Sequence, residues 1–294
     1  MRIRSCYVIG IVLAIALISC EKEVHIDLGV TPPDLVVQGQ IETGLPPYVF
    51  LTHTIGFFSN IDLNTLESSF IHGATVSVSD GSRTITLKEY SVDTGAGNKI
   101  YFYSVDSNSS LLGTVSKTYR LSITYDGKTY TASTKIPAVK PVDTIWAGDP
   151  ITTGINIINQ EREVFVNYTD PDTGGNYVRI FTKRNNGPYY PGDVFSDELI
   201  NGKPVKQIGI AIGYNDTVNA NRDSLIFVYS GDVITLKWCE IDKGVYDFWN
   251  TFNFSQQASG NPFSSPINVK SNITNGALGV WAGYGTSFRT LVVH

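Results

Sequence analysis

The chain has 294 residues, 42% apolar, 12% aromatic and 17% charged, with a formal charge of −5. This excludes an intrinsically disordered chain, which pairs low hydrophobicity with high net charge, and a collagen-like or coiled-coil rod. An acidic sum without a Lys/Arg cluster also argues against nucleic acid, whose phosphates need a basic stripe. The length allows one large domain or two ordinary ones.

Residues 1–19 read as a signal peptide. Arg2 and Arg4 supply a short basic region, and the apolar run Tyr7–Ile18 is too short to cross a hydrocarbon core of about 30 Å. The segment Leu17-Ile18-Ser19-Cys20 resembles the lipobox of bacterial lipoproteins. That resemblance implies cleavage before Cys20 and lipid attachment to its sulfur, and two or more acyl chains anchor a protein stably. Residues 20–34 then form a lipidated tether, charged at Glu21-Lys22-Glu23 and ending in Thr31-Pro32-Pro33. Loss of residues 1–19 removes two arginines and no acids, leaving 20 basic and 27 acidic side chains, a net charge of −7. Cys6 leaves with the signal and Cys20 is lipidated, so Cys239 stands alone without a disulfide partner. At the end of the strand-like run Val233–Cys239 it reads as a small buried hydrophobe, not a reactive thiol.

From Leu35 the hydrophobic pattern has period two. Candidate strands are Leu35–Glu42, Tyr48–Ile55, Ala74–Ser79, Arg83–Glu89, Lys99–Val105, Thr118–Tyr125 and Lys128–Ile136. Asp126-Gly127 predicts a two-residue type I′ hairpin, because both positions tolerate positive φ. Seven short strands in this span predict an immunoglobulin-like antiparallel β-sandwich over residues 35–137, without the antibody Cys…Trp…Cys signature. Pro137 and Pro141 break the pattern and mark a domain boundary.

Residues 138–294 read as a second antiparallel β domain. Its strands lie near Thr144–Ala147, Val164–Tyr168, Tyr177–Lys183, Ser224–Tyr229, Asp232–Glu240 and Thr286–Val293. Between Arg184 and Arg222 runs a long stretch rich in Asn, Gly and Pro, with Gln207–Ile212 as one further candidate strand. A single short amphipathic helix follows Asp242, a plausible N-cap, with Val245, Phe248, Trp249 and Phe252 on one face. That stripe is either an aromatic platform or, more simply, the face that docks the helix on a sheet.

Catalytic patterns are weak. The four histidines are scattered, which leaves no HExxH motif and only His53 and His72 for a triad. Asp170-Pro-Asp172 begins like a calcium loop but lacks the later ligands and reads as a hairpin turn. Glu240 and Asp242 could form the acid pair of a glycoside hydrolase, yet among 27 acids some pair always suits. No enzyme activity, metal or cofactor is expected. The aromatic loops are better candidates for contact with a partner or ligand: Phe57 and Phe58 in one, Tyr189 and Tyr190 in the other. The alternative is that both fold inward and plug the ends of a sandwich.

Taken together, these segments resemble the Bacteroidota lipoproteins grouped as domain of unknown function 4249. The likeness includes Leu35-Val-Val-Gln-Gly39, Leu45-Pro-Pro47, Gly73-Ala-Thr-Val76, Thr134-Lys-Ile-Pro137, Tyr246-Asp-Phe-Trp249, Gly260-Asn-Pro-Phe263 and Gly276-Ala-Leu-Gly279. The resemblance implies a lipid-anchored outer-membrane protein, no established catalytic residues, and a TonB-dependent receptor as partner. By analogy it implies a non-enzymatic module accessory to substrate capture. A structural or adhesive envelope lipoprotein is the second reading, and a surface glycan-acting enzyme the third.

Overall fold

The computed structural model describes residues 34–55, 62–107, 110–151, 161–213, 226–258 and 268–294. Cys20 with its tether, and Phe57 with Phe58, lie outside the described residues. The described chain is mostly β, with antiparallel sheets stacked as layers and few helices.

In the first half, β1 (Leu35–Glu42), β2 (Tyr48–His53), β5 (Lys88–Asp93) and β6 (Lys99–Ser104) lie in the order β1-β2-β6-β5. The facing layer holds β3 (Thr75–Ser79), β4 (Thr84–Thr86), β7 (Thr118–Tyr125) and β8 (Lys128–Lys135), ordered β4-β3-β7-β8. A short helix, α1 (Leu63–Ser69), starts where the Asp62 carboxylate accepts the Thr65 N–H at 2.7 Å. Alternation along the strands sends Val37, Val49, Leu51 and Tyr103 inward to meet Val76, Val78, Tyr119, Leu121 and Ile123. Each such aliphatic side chain contributes about 1.5–3 kcal/mol by leaving water. The Asp126-Gly127 turn joins β7 to β8 with φ of 47° and 69°, the I′ geometry the dipeptide predicts. The expected strand Arg83–Glu89 is instead two. Leu87 turns into the core and donates its N–H to Val76, so the chain passes from one layer to the other there.

In the second half, β9 (Thr144–Ala147), β10 (Arg162–Thr169), β13 (Pro204–Ile210) and β14 (Phe227–Val228) form one layer. It packs on β11 (Tyr177–Arg184), β12 (Tyr189–Ser196), β15 (Val233–Ile241) and β16 (Leu278–Val292) through Val164, Val166, Ile180, Leu236 and Trp238. The helix expected after Asp242 is α2 (Lys243–Ala258), and Asp242 caps it by accepting the Val245 N–H at 3.0 Å. Its aromatic stripe does dock on a sheet, against Cys239, Ile241, Val280, Ala282 and Tyr284.

Two local readings need correction. Tyr189-Tyr190 is no loop but the start of β12, paired with Lys183 and Thr182 of β11. Pro191 is tolerated because β12 is an edge strand. The Asp170–Gly175 segment joins β10 to β11, which belong to different sheets, so it is a crossover between layers and not a hairpin.

The longest strand, β16, ties the halves together. Residues Leu278–Tyr284 run parallel to β1, and Gly285–Val292 run antiparallel to β15. One sheet, β12-β11-β15-β16-β1-β2-β6-β5, therefore extends across the Pro137–Pro141 boundary. The cores do separate near those prolines, but the first takes Ile273, Ala277 and Trp281 from the C-terminal end of the chain.

Candidate functional site

Inward alternation in β1 and β2, with Tyr103 of β6 buried beside them, fixes what the opposite face presents. Gln38 and Gln40 of β1 stand beside Phe50 and Tyr48 of β2 in register. Phe102 of β6 and Tyr90 of β5 continue the row. Successive ring centroids, Tyr48–Phe50, Phe50–Phe102 and Phe102–Tyr90, lie 5.6, 6.0 and 5.8 Å apart. Gln38, Tyr90, Val92 and Ile100 are exposed, Val92 by 56%. Among the described residues, Lys88 pairs with Asp106 at 2.7 Å at one margin and Glu42 with Lys237 at the other. An uncharged aromatic and amide surface on a rigid sheet is uncommon where antiparallel sheets normally present polar residues to water.

Helix α2 rises at the end of this face where Glu42 meets Tyr284. Beneath it lies Arg179 of β11, 6% exposed, which donates through Nη1 to the Tyr284 hydroxyl at 3.0 Å. The guanidinium centre is 3.3 Å from the Trp249 ring centroid and 4.8 Å from that of Phe181. Trp249 Nε1 also donates to the Tyr284 hydroxyl, at 3.2 Å. Among the described residues Arg179 has no carboxylate within ion-pair distance, so aromatic faces and one hydroxyl supply its stabilisation. Nearby, the Tyr48 phenol is pushed up to about 12 by burial, with Tyr284 and Glu42 adding to it. This cluster locks α2, β1, β11 and β16 together at one end of the aromatic face.

The acids considered from sequence lie elsewhere. Glu240 accepts from the Tyr168 hydroxyl at 3.1 Å and is 3% exposed. Burial, reinforced by Asp170 and Asp197, raises its carboxyl to about 7 against the opposing Tyr168 bond. Asp242 serves different neighbours: besides capping α2, it accepts from the Thr134 hydroxyl at 2.5 Å and the Lys135 N–H at 2.9 Å. The two carboxylates are thus committed to separate packing tasks. Asp170 accepts the Gly202 N–H at 3.2 Å, and burial raises its carboxyl as well. Among the described residues no three His, Cys, Asp or Glu side chains are grouped to hold a metal ion. Cys239 is fully buried, and that burial pushes its thiol strongly upward.

Of the four aromatic residues proposed for contact, Tyr189 and Tyr190 lie on β12, Tyr189 being 43% exposed and facing Lys183 and Lys237. Phe57 and Phe58 fall outside the described residues. The row Tyr48, Phe50, Phe102 and Tyr90 was not singled out from sequence. Its signal was there: in β2, Tyr48 and Phe50 are as apolar as the core-facing Val49 and Leu51, so the strand does not alternate. The outer face of the opposite layer differs in character, with Ser122, Thr131, Ser133, Asn272 and Thr274 lining a shallow groove of about 590 Å³. Serine and threonine on a solvent-facing sheet are ordinary; the aromatic face is not.

No curated protein matches the chain. A family model described as a domain of unknown function, DUF4249, matches residues 21–289. With that match spanning nearly the whole chain and every described strand but the end of β16, the protein belongs to the DUF4249 family.

Proposed function

We propose that this protein is a lipid-anchored outer-membrane binding module, held by an acylated Cys20 and accessory to a TonB-dependent receptor in substrate capture. The observation that carries the binding role is the uncharged row of Tyr48, Phe50, Phe102 and Tyr90 on the outer sheet face, half-buried at Tyr48, Phe50 and Phe102 and exposed at Tyr90. A preformed aromatic surface loses little conformational entropy when it is covered, which suits recognition. The lipobox-like Leu17–Cys20 supports the anchor, and the likeness to Bacteroidota lipoproteins supports the receptor. The acids Glu240 and Asp242, each committed to separate packing partners, favour binding over hydrolysis.

The test is a mild-detergent pull-down of the tagged full chain from its native membranes, followed by mass spectrometry. A stoichiometric TonB-dependent receptor is expected. Recovery of the chain alone, under conditions that keep known transporter complexes intact, would overturn the receptor partnership and leave a structural or adhesive role.

A further inference from the structure

We infer that the outer face of β1, β2, β6 and β5 binds a neutral glycan chain. The inference rests on the binding-module reading of the same face and names its ligand class; it does not depend on the receptor.

A sugar ring has an apolar C–H face and a rim of hydroxyls, so a site for it needs aromatic surface and hydrogen-bonding groups side by side. Both are interleaved here. Four rings follow one another at 5.6, 6.0 and 5.8 Å across three strands, on the scale of one sugar ring per side chain. Gln38 and Gln40 sit directly opposite Phe50 and Tyr48. Each amide offers two donors and an acceptor, and so can bridge neighbouring hydroxyls whatever their orientation. The row runs across three adjacent strands, β2, β6 and β5, an extent suited to a repeating chain.

Charge decides between classes of polymer. At the margins Lys88 pairs with Asp106 and Glu42 with Lys237, while Arg179, 6% exposed, is screened from solvent by aromatic rings. The mature chain's net charge of −7 repels an anionic polysaccharide. A protein partner would also cover aromatic surface, but it would leave the donors and acceptors of Gln38 and Gln40 to be matched one by one within an apolar contact.

The experiment is affinity electrophoresis of the full chain in detergent, through gels containing dextran, mixed-linkage β-glucan, galactomannan or polygalacturonate. At least one neutral polymer should retard the protein, and polygalacturonate should not. Phe102→Ala should weaken the retarding interaction about tenfold. Gln38→Ala, at an exposed position that leaves the core untouched, should weaken it about threefold. Thermal midpoints measured alongside separate loss of binding from loss of fold. Absence of retardation by every neutral polymer, or retardation unchanged in both variants, overturns the proposal. If no polymer binds while both variants lose a co-purifying receptor, the face docks protein: the glycan inference fails and the receptor reading stands. If a polymer binds but no receptor co-purifies, the reverse holds.

Discussion

Glu240 lies near the end of β15 with its carboxyl against the Tyr168 hydroxyl, at 3% exposure, with Asp170 and Asp197 close enough to oppose its charge. Its pKa is raised to about 7, whereas an unfolded glutamate titrates near 4.3. Between those values the folded chain holds a proton that the unfolded chain has released. Its contribution to stability is therefore complete below about pH 4.3 and is lost as pH rises through 7, by roughly 3 kcal/mol in all. Asp170, also raised by burial, acts in the same direction. Asp232 works oppositely: burial would raise it, but the bond from Arg184 at 2.6 Å and those from Tyr229 and Asn185 outweigh that and lower it. Its contribution fades only in acid. Glu240→Gln keeps an acceptor for Tyr168 without the charge. It should match wild type near pH 4 and exceed it by roughly 2–3 kcal/mol at pH 8 in urea titrations. An unchanged pH slope in the variant would assign the dependence to another group.

At the scale of the element, β16 is shaped by what crosses it. Gly279 has φ of +111°, and a Cβ there would lie 1.9 Å from the Val37 carbonyl oxygen. Farther along, a Cβ at Gly283 would lie 2.6 Å from the Lys135 carbonyl oxygen. Gly279→Val should therefore cost at least about 3 kcal/mol, read as a lowered urea midpoint. The same glycines explain why only Thr286–Val293 was legible as a strand. Gly279, Gly283 and Gly285 have poor strand propensity, and it is the close approach of β1 and β8 that extends the strand back to Leu278. In β12, Pro191 and Gly192 misdirect in the same way, since an edge position excuses a proline. By contrast, Asp126-Gly127 and the Asp242-capped helix were legible because local chemistry fixes both. For the candidate site, periodicity showed that Phe50 shares a face with Tyr48 but not whether another layer covers that face.

Among the described residues three buried clusters are spanned by one continuous eight-stranded sheet. Trp281 fills the first core, is fully buried, and donates Nε1 to the Tyr119 carbonyl at 3.0 Å. Asn272 fixes Trp281 further, accepting its backbone N–H and donating to its carbonyl, each at 2.9 Å. Residues 34–294 should accordingly unfold as one unit, in a single calorimetric transition. A chain ending at Ala277 should lose cooperative unfolding in its first half as well as its second, because it lacks Trp281 and leaves one edge of β1 bare. A cooperative transition with near-native near-UV circular dichroism in that fragment would show instead that the first half folds independently.

The parallel pairing of Val36 with Leu278 at one end and Glu42 with Tyr284 at the other joins strands from opposite ends of the described residues. Strand partners so far apart cannot meet until nearly all the residues between them have emerged from the ribosome. The chain thus stays a slack thread for most of its synthesis. An interrupted product would lack the closing strand, and its incomplete first core would mark it for proteolysis.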